Sequence, residues 1–411
     1  MWDHTIRPWL DRPVLMPSDS TVIRSHVPAG LYCKTALFAA MAPLWRALSR
    51  LESVVLADEI AAQPMRRPIY IAGVPRSGTT LLTEMLARHP AVTSHRYSDF
   101  PNLWTPYWHN WLADRVGRDR SEPAERAHRD RLKVNRESPE AVEEVLWMNF
   151  FDRLHDPTHD QRLTADTDNP AFERAYRDHI AKLLVVRGAE RYLAKGNYNA
   201  TRLGYLLKLF PDARIVVPWR EPVAQVASLV KQDRLFTRMA AEDARVPRQL
   251  ARSGHFEFGP HKRAVHLGDD ESTAAIMDDW SAGRLAEGWA RYWTAVYGQV
   301  LDFLKADSRH REAVFVLGYE RLCADSEAAL DALLAHLDLD PAPFAGIRAE
   351  YAGRISPPDY YRPEFSDSEL ERIDELTAPV AARLVAVDAV PSAPNEGESD
   401  EVSRIRDNRG R

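Results

Sequence analysis

Five short apolar runs punctuate the chain: Ile69 to Ala72, Ala91 to Thr93, Tyr192 to Ala194, Ile215 to Val217 and Ala313 to Leu317. They are too short for helices and do not alternate with polar residues. Such runs suit parallel strands buried on both faces. Between them, apolar residues return every three or four positions, as on helices with one buried face. Leu81, Leu82, Met85 and Leu86 do so after the first run, and Val223, Val226, Ala227 and Val230 after the fourth. The same pattern predicts helices over 201–210, 287–305, 326–337 and 366–388. A further helix over 32–62 is predicted to break near Pro43, and 102–190 reads as mostly helical. Ser138-Pro139-Glu140 has the form of a helix start, with Ser as N-cap, Pro at N1 and acids in the first turn. Strands alternating with helices define an α/β fold: a P-loop-type parallel sheet of about five strands flanked by helices.

This periodicity divides the chain into a helical N-terminal extension (1–66), an α/β domain (67–388) and a polar tail (389–411) expected to be disordered. Within the domain, 232–285 is polar and Gly-punctuated, and too long for a simple connection. It is expected to be an insertion capping the site, a lid whose Phe256, Phe258, His261, Lys262 and Arg263 face an acceptor.

Candidate chemistry concentrates where the first run meets its helix, at Gly73-Val74-Pro75-Arg76-Ser77-Gly78-Thr79-Thr80. A loop entering a helix presents free backbone N–H groups and the positive end of the helix dipole, a site for phosphate-like anions. The two glycines have Walker A spacing, but Thr79 stands where a nucleoside triphosphatase carries Lys, and the cation is Arg76 inside the loop. A second candidate anion site is Arg220 at the end of the fourth run, with Ser228 two turns along the following helix. Lys195 falls at the end of the third run, again on the side where ligands of open α/β sheets bind. His95 and Asp99 follow the second run, placed for proton transfer, and Glu143 and Glu144 are further acids.

Gly-x-Pro-Arg-Ser-Gly-Thr-Thr-Leu, followed by Arg220 and Ser228, resembles the donor site of sulfotransferases that use 3′-phosphoadenosine 5′-phosphosulfate (PAPS). The likeness is to the bacterial group related to tyrosylprotein sulfotransferases, and it covers about residues 67–340. It implies that Pro75, Arg76, Ser77, Gly78, Thr79 and Thr80 hold the 5′-phosphosulfate and that Arg220 and Ser228 hold the 3′-phosphate. It further implies that Arg76 and Lys195 stabilise the transferring sulfuryl group. The base is left open among Asp99, His95, Glu144 and Glu143. The implied reaction moves a sulfuryl group to a hydroxyl, or an amine, of a small-molecule, glycan or lipid acceptor. A P-loop kinase or other phosphotransferase, and a non-catalytic nucleotide-binding protein, are the alternatives.

Composition narrows this further. The 411 residues carry a formal net charge of −6, so no global basic field calls for nucleic acid. Two distant cysteines, Cys33 and Cys323, make neither a disulfide framework nor a zinc site. His155 and His159 straddle Pro157 and lack a third ligand at metal-site spacing, so no metal is expected. Charge in Met1-Trp2-Asp3-His4 argues against a signal peptide, and Lys34, Pro43 and Arg46 break the most apolar early stretch. The expectation is a cytoplasmic protein with no integral membrane segment.

Overall fold

The computed structural model describes residues 26–117, 122–125, 133–355 and 364–388. The tail after Val390 and most of the Pro-rich start lie outside them. Five parallel strands form the central sheet: β1 (Ile69–Ala72), β2 (Val92–Ser94), β3 (Arg191–Gly196), β4 (Arg214–Trp219) and β5 (Val314–Gly318), in the order β2-β3-β1-β4-β5. β1 lies at the centre, with Ile71 opposite Lys195 on one side and Val216 on the other. Successive residues of β1 enter different cores. Ile69 and Ile71 pack with Leu193, Phe315 and Leu330 on one face, and Tyr70 and Ala72 with Ile215, Trp147 and Tyr176 on the other. A strand covered on both sides has no polar face to show, hence the unbroken apolar runs.

The helices, in chain order, are α1 (Ala29–Ala40), α2 (Ala42–Val55), α3 (Ala57–Ala62), α4 (Thr79–Leu86), α5 (Pro106–Val116), α6 (Glu144–Met148), α7 (Pro170–Arg187), α8 (Leu203–Leu209) and α9 (Pro222–Glu242). They continue with α10 (Arg245–Arg252), α11 (Asp270–Ser281), α12 (Leu285–Ala306), α13 (Ser308–Ala313), α14 (Tyr319–Ala324), α15 (Ser326–Leu337), α16 (Ala345–Ala352) and α17 (Asp367–Asp388). Local signals set several starts. Glu221 caps α9 by accepting from the Val223 and Ala224 N–H groups, with Pro222 at N1. Asn169 and Pro170 do the same for α7, which ends at left-handed Gly188. The last helix docks back onto the sheet, where the Asp388 carboxylate accepts from the Gly318 N–H at 3.1 Å.

Two expectations are corrected. No helix starts at Ser138. Arg96 and Pro139 form an antiparallel bridge, and the Glu140 N–H donates to the His95 carbonyl at 2.9 Å. Residues 138–140 are thereby pinned beside the exit of β2, and the helix begins only at Glu144. Nor do the side chains expected to line an open lid project freely. Phe256 is buried, its ring 4.5 Å from that of His155, and Phe258 lies between Phe236 and Trp289. Lys262 pairs with Asp233 at 3.0 Å, and Arg263 donates to the His155 carbonyl. Apolar burial and ion pairing hold this stretch, which carries α10 and α11 on either side, against the body of the protein.

The N-terminal helices are fixed to the sheet layer by a buried ion pair. Lys182 of α7 reaches Glu52 of α2 at 3.2 Å and also donates to the Ser49 carbonyl, while Glu52 accepts from the Trp108 N–H at 2.7 Å. Both side chains are at most 1% exposed. A lone charge left there has no solvent to relax it. Glu52→Gln is expected to lower unfolding stability by about 3–5 kcal/mol, as when one partner of a buried pair is removed. In Glu52→Leu/Lys182→Met most of that loss should return, measured by urea denaturation.

Candidate active site

The anion loop leaves β1 through Gly73, where a Cβ would lie 2.9 Å from the Pro218 carbonyl oxygen, so β1 and β4 meet there only because the side chain is hydrogen. The turn closes through two left-handed residues, Arg76 (φ 72°) and Gly78 (φ 95°), the latter capping α4 without a side-chain bond. Glycine adopts this conformation freely; arginine does so at a cost, and such residues cluster at binding sites. Gln225 of α9 braces the loop from behind. Its amide donates to the carbonyls of Val74 (3.3 Å) and Pro75 (3.0 Å) and accepts from the Trp293 indole at 2.9 Å. With those carbonyls held on Gln225, the loop offers N–H groups to an anion. Pro75, Ser77 and Thr79 are buried, and Thr80 stands half-buried at the rim. Sequence reasoning missed Gln225; its one signal was a polar residue amid the apolar positions of α9.

The cations converge on this loop. Arg76 Nε donates to Ser228 Oγ at 3.0 Å, joining two motifs 152 residues apart. Lys195, at the carboxyl end of β3, donates to Thr80 Oγ1 at 3.2 Å and lies 3.7 Å from Glu140 Oε1. Arg220 follows β4 with a buried Nε that has no hydrogen-bond partner among the described residues, and its guanidinium lies 5.7 Å from the Tyr319 ring centroid. Tyr319 in turn packs against Gly78, where a Cβ would come within 3.2 Å of the ring. The three candidate binding groups that follow β3 and β4 or stand on α9, Lys195, Arg220 and Ser228, thus reach the end of the sheet where the loop sits.

The four candidate bases are engaged elsewhere. Glu143 is buried and accepts from the Trp147 indole at 2.7 Å, the Tyr176 hydroxyl at 2.8 Å and the Tyr192 hydroxyl. Glu144 pairs with Arg202 and with His155 at 2.9 Å; against burial, which would raise it, these partners hold its pKa down. Asp99 takes both its oxygens to Arg187 at 2.7–2.8 Å and accepts from the Arg96 N–H. Burial opposes its ionisation, but His95 and Arg187 more than offset that and lower its pKa. His95 is buried between Asp99 (3.3 Å) and His179 (3.0 Å). The acid that does face Lys195 is Glu140, missed because the sequence placed it in a helix start. Burial would raise it, but Lys195, the Tyr97 hydroxyl and the Ala141 N–H hold it at about 2.

Among the described residues no group of three or more His, Cys, Asp or Glu side chains could hold a metal ion, and Cys33 and Cys323 are free thiols. No described helix is long and apolar enough to cross a membrane.

Residues 68–255, which span the loop, Lys195, Arg220 and Ser228, match the model of the sulfotransferase family. The match covers less than half of the chain, and it supports sulfuryl transfer as the class of reaction. No curated protein matches the chain. Among solved structures, the sulfotransferase STF9 of Mycobacterium avium is 16% identical with a TM-score of 0.48, covering 80% of each chain. STF1 of Mycobacterium tuberculosis H37Rv is 16% identical with a TM-score of 0.43, covering 81% of each. A sulfotransferase from Alicyclobacillus acidocaldarius is 17% identical with a TM-score of 0.37, over 79% of this chain and 96% of that one. Likeness this distant says nothing about the acceptor.

The buried histidine pair beneath β2 makes stability depend on pH. Burial first, then the neighbouring His95 and Lys182, push the His179 pKa well below its ordinary value of 6.5. The unfolded chain therefore binds a proton at this residue before the folded one does. Its effect is a loss of stability as pH falls below about 6.5, of about 1.4 kcal/mol per pH unit until the folded-state pKa is reached. His179→Gln should flatten the pH dependence of urea-unfolding free energy between pH 6.5 and 5 by about that slope. An unchanged slope would mean that His179 titrates normally in the folded protein.

Proposed function

We propose that the protein transfers the sulfuryl group of PAPS to a hydroxyl of a small-molecule, glycan or lipid acceptor. The observation that carries this reading is the pair of contacts Arg76–Ser228 and Lys195–Thr80. They join the loop to α9, the helix that follows β4 and Arg220, and to the end of β3, which bears Lys195. In this reading the N–H groups of the loop, with Ser77, Thr79 and Thr80, hold the 5′-phosphate. Arg76 offsets charge that builds on the leaving phosphate oxygen as the S–O bond breaks, and Lys195 faces the sulfuryl oxygens. Arg220 offers a forked donor to the 3′-phosphate, its buried Nε having no hydrogen-bond partner among the described residues. Ser228 shares that phosphate with Arg220 and so releases Arg76 to the bridging oxygen. The work is positioning and charge stabilisation, as in phosphoryl transfer. A nucleotide kinase is the second reading, and Thr79 in place of the Walker A lysine disfavours it.

Arg76→Ala is expected to lose sulfuryl transfer by at least about 10²-fold, the scale of removing one transition-state donor, with thermal unfolding little changed. Near-normal kcat in a folded variant would remove Arg76 from the mechanism. Arg220→Ala should weaken 3′,5′-ADP by about 1.5–3 kcal/mol, the worth of a charged hydrogen bond, and leave 5′-AMP nearly unchanged. Calorimetry showing equal losses for the two nucleotides would mean that Arg220 does not read the 3′-phosphate.

A further inference from the structure

Beside Lys195 lies a small cavity of about 20 Å³, lined among others by Asn197, Gly254, His255 and Glu257. The last three come from the segment after α10, outside both donor motifs. Glu257 is buried and held in place: Asn197 Nδ2 donates to its Oε1 at 2.7 Å, while its Oε2 lies 3.5 Å from His255 Nδ1. His255 is a third exposed. Its Nδ1 faces the carboxylate, and its Nε2 makes no hydrogen bond to any described residue. The turn that presents the ring is fixed by Gly254, which has φ 78° and packs so closely on Glu144 that a Cβ would lie 2.7 Å from the Glu144 Cβ.

We propose that His255 is the catalytic base that takes the proton of the acceptor hydroxyl, with Glu257 as its positioning residue; this rests on the sulfotransferase reading above. A carboxylate behind one ring nitrogen fixes the tautomer and leaves the other nitrogen to accept a proton, the logic by which histidines serve as bases. The acceptor O–H bond breaks and its proton moves to Nε2. The oxygen bonds to sulfur, and the electron pair of the S–O bond leaves with the phosphate of 3′,5′-ADP. The imidazolium then returns its proton to water.

The charges around the ring favour this over Glu140. Glu140 is held at about 2 by Lys195 against the effect of burial, which makes it a weak base. Around His255, burial lowers the pKa, but Glu257 and Glu140 raise it more than Lys195 lowers it, and the net shift is upward. Glu144, also on the cavity wall, is paired with Arg202 and His155. The neutral imidazole is then the active form, and the acidic limb of kcat/KM lies above the ordinary histidine value.

The test uses the full chain. Nitrogen-15 NMR of labelled histidine, with 3′,5′-ADP bound, should show neutral His255 protonated on Nδ1; a proton on Nε2 overturns the proposal. His255→Asn should reduce PAPS turnover, with water and simple phenols or alcohols as acceptors, by about 10²-fold or more. Its 3′,5′-ADP affinity should stay within about twofold. Unchanged turnover in this variant overturns the assignment. Glu257→Gln should lower the His255 pKa by NMR and move the acidic limb of kcat/KM to lower pH. A merely structural Glu257 would change the rate at every pH without moving the limb. Absence of 3′,5′-ADP binding by the unaltered protein would overturn the sulfotransferase reading itself, an outcome distinct from loss of the base alone.

Discussion

Parallel pairing of β1 with β3 on one side and β4 on the other is the constraint from which the site follows. All strands then end at the same edge, so the groups that follow them gather there. Ile71 lies opposite Lys195, and β1 runs out into the loop beside Pro218 two residues before Arg220. A one-residue slip of β3 would turn Lys195 to the other face of the sheet. The apolar cores on both faces resist that slip, because Leu193, packed in one core, would exchange faces with Tyr192 and Ala194, packed in the other. The placing of Lys195 and Arg220 at this edge and the packing of the core are therefore set by the same register.

The second determinant is how charge is distributed between scaffold and site. Carboxylates near the loop mostly serve the scaffold: Asp99 neutralises Arg187, Glu144 neutralises Arg202, and Glu143 gathers three neutral donors. Each is buried, and each has its oxygens engaged by hydrogen-bond or ion-pair partners. A buried charge that is fully paired contributes specificity of arrangement rather than reactivity, since moving a proton onto it would break the network that holds it. Glu143 and Glu144 also line the cavity beside Lys195, but their oxygens are taken by scaffold partners, whereas Glu140 faces Lys195 and Glu257 faces His255.

The strands and the loop were legible because their signals are local. A buried parallel strand needs a short apolar run, and a phosphate-binding turn needs glycines and a helix start at fixed spacing; both can be counted along the chain. That Lys195, Arg220 and Ser228 stand near the same edge of the sheet was legible for the same reason, since each lies next to such an element. The acid–base groups were not. Ser138-Pro139-Glu140 carries every local mark of a helix N-terminus, yet the bridge of Pro139 to Arg96 and the bond from Glu140 N–H to His95 hold it extended. Tertiary pairing overrode propensity there, and it carried Glu140 to Lys195. Phe256 and Phe258 looked like free aromatic groups of a lid because nothing in 253–269 reveals that His155, Phe236 and Trp289 cover them.

By itself, then, the amino-acid sequence determined the α/β class, the five strands, the anion loop and the cations that border it, since each depends on neighbours within a few residues. Only the tertiary structure decided which acids are spent on ion pairs and which face the loop. It also decided that Gln225 braces the loop and that Arg76 meets Ser228 across 152 residues. It placed a histidine–glutamate pair from the segment after α10 beside Lys195. These are contacts between residues far apart in the chain. They exist because two packed cores fix the sheet register and bring the loops together at one edge, and no local pattern records which partner a buried charge will find there.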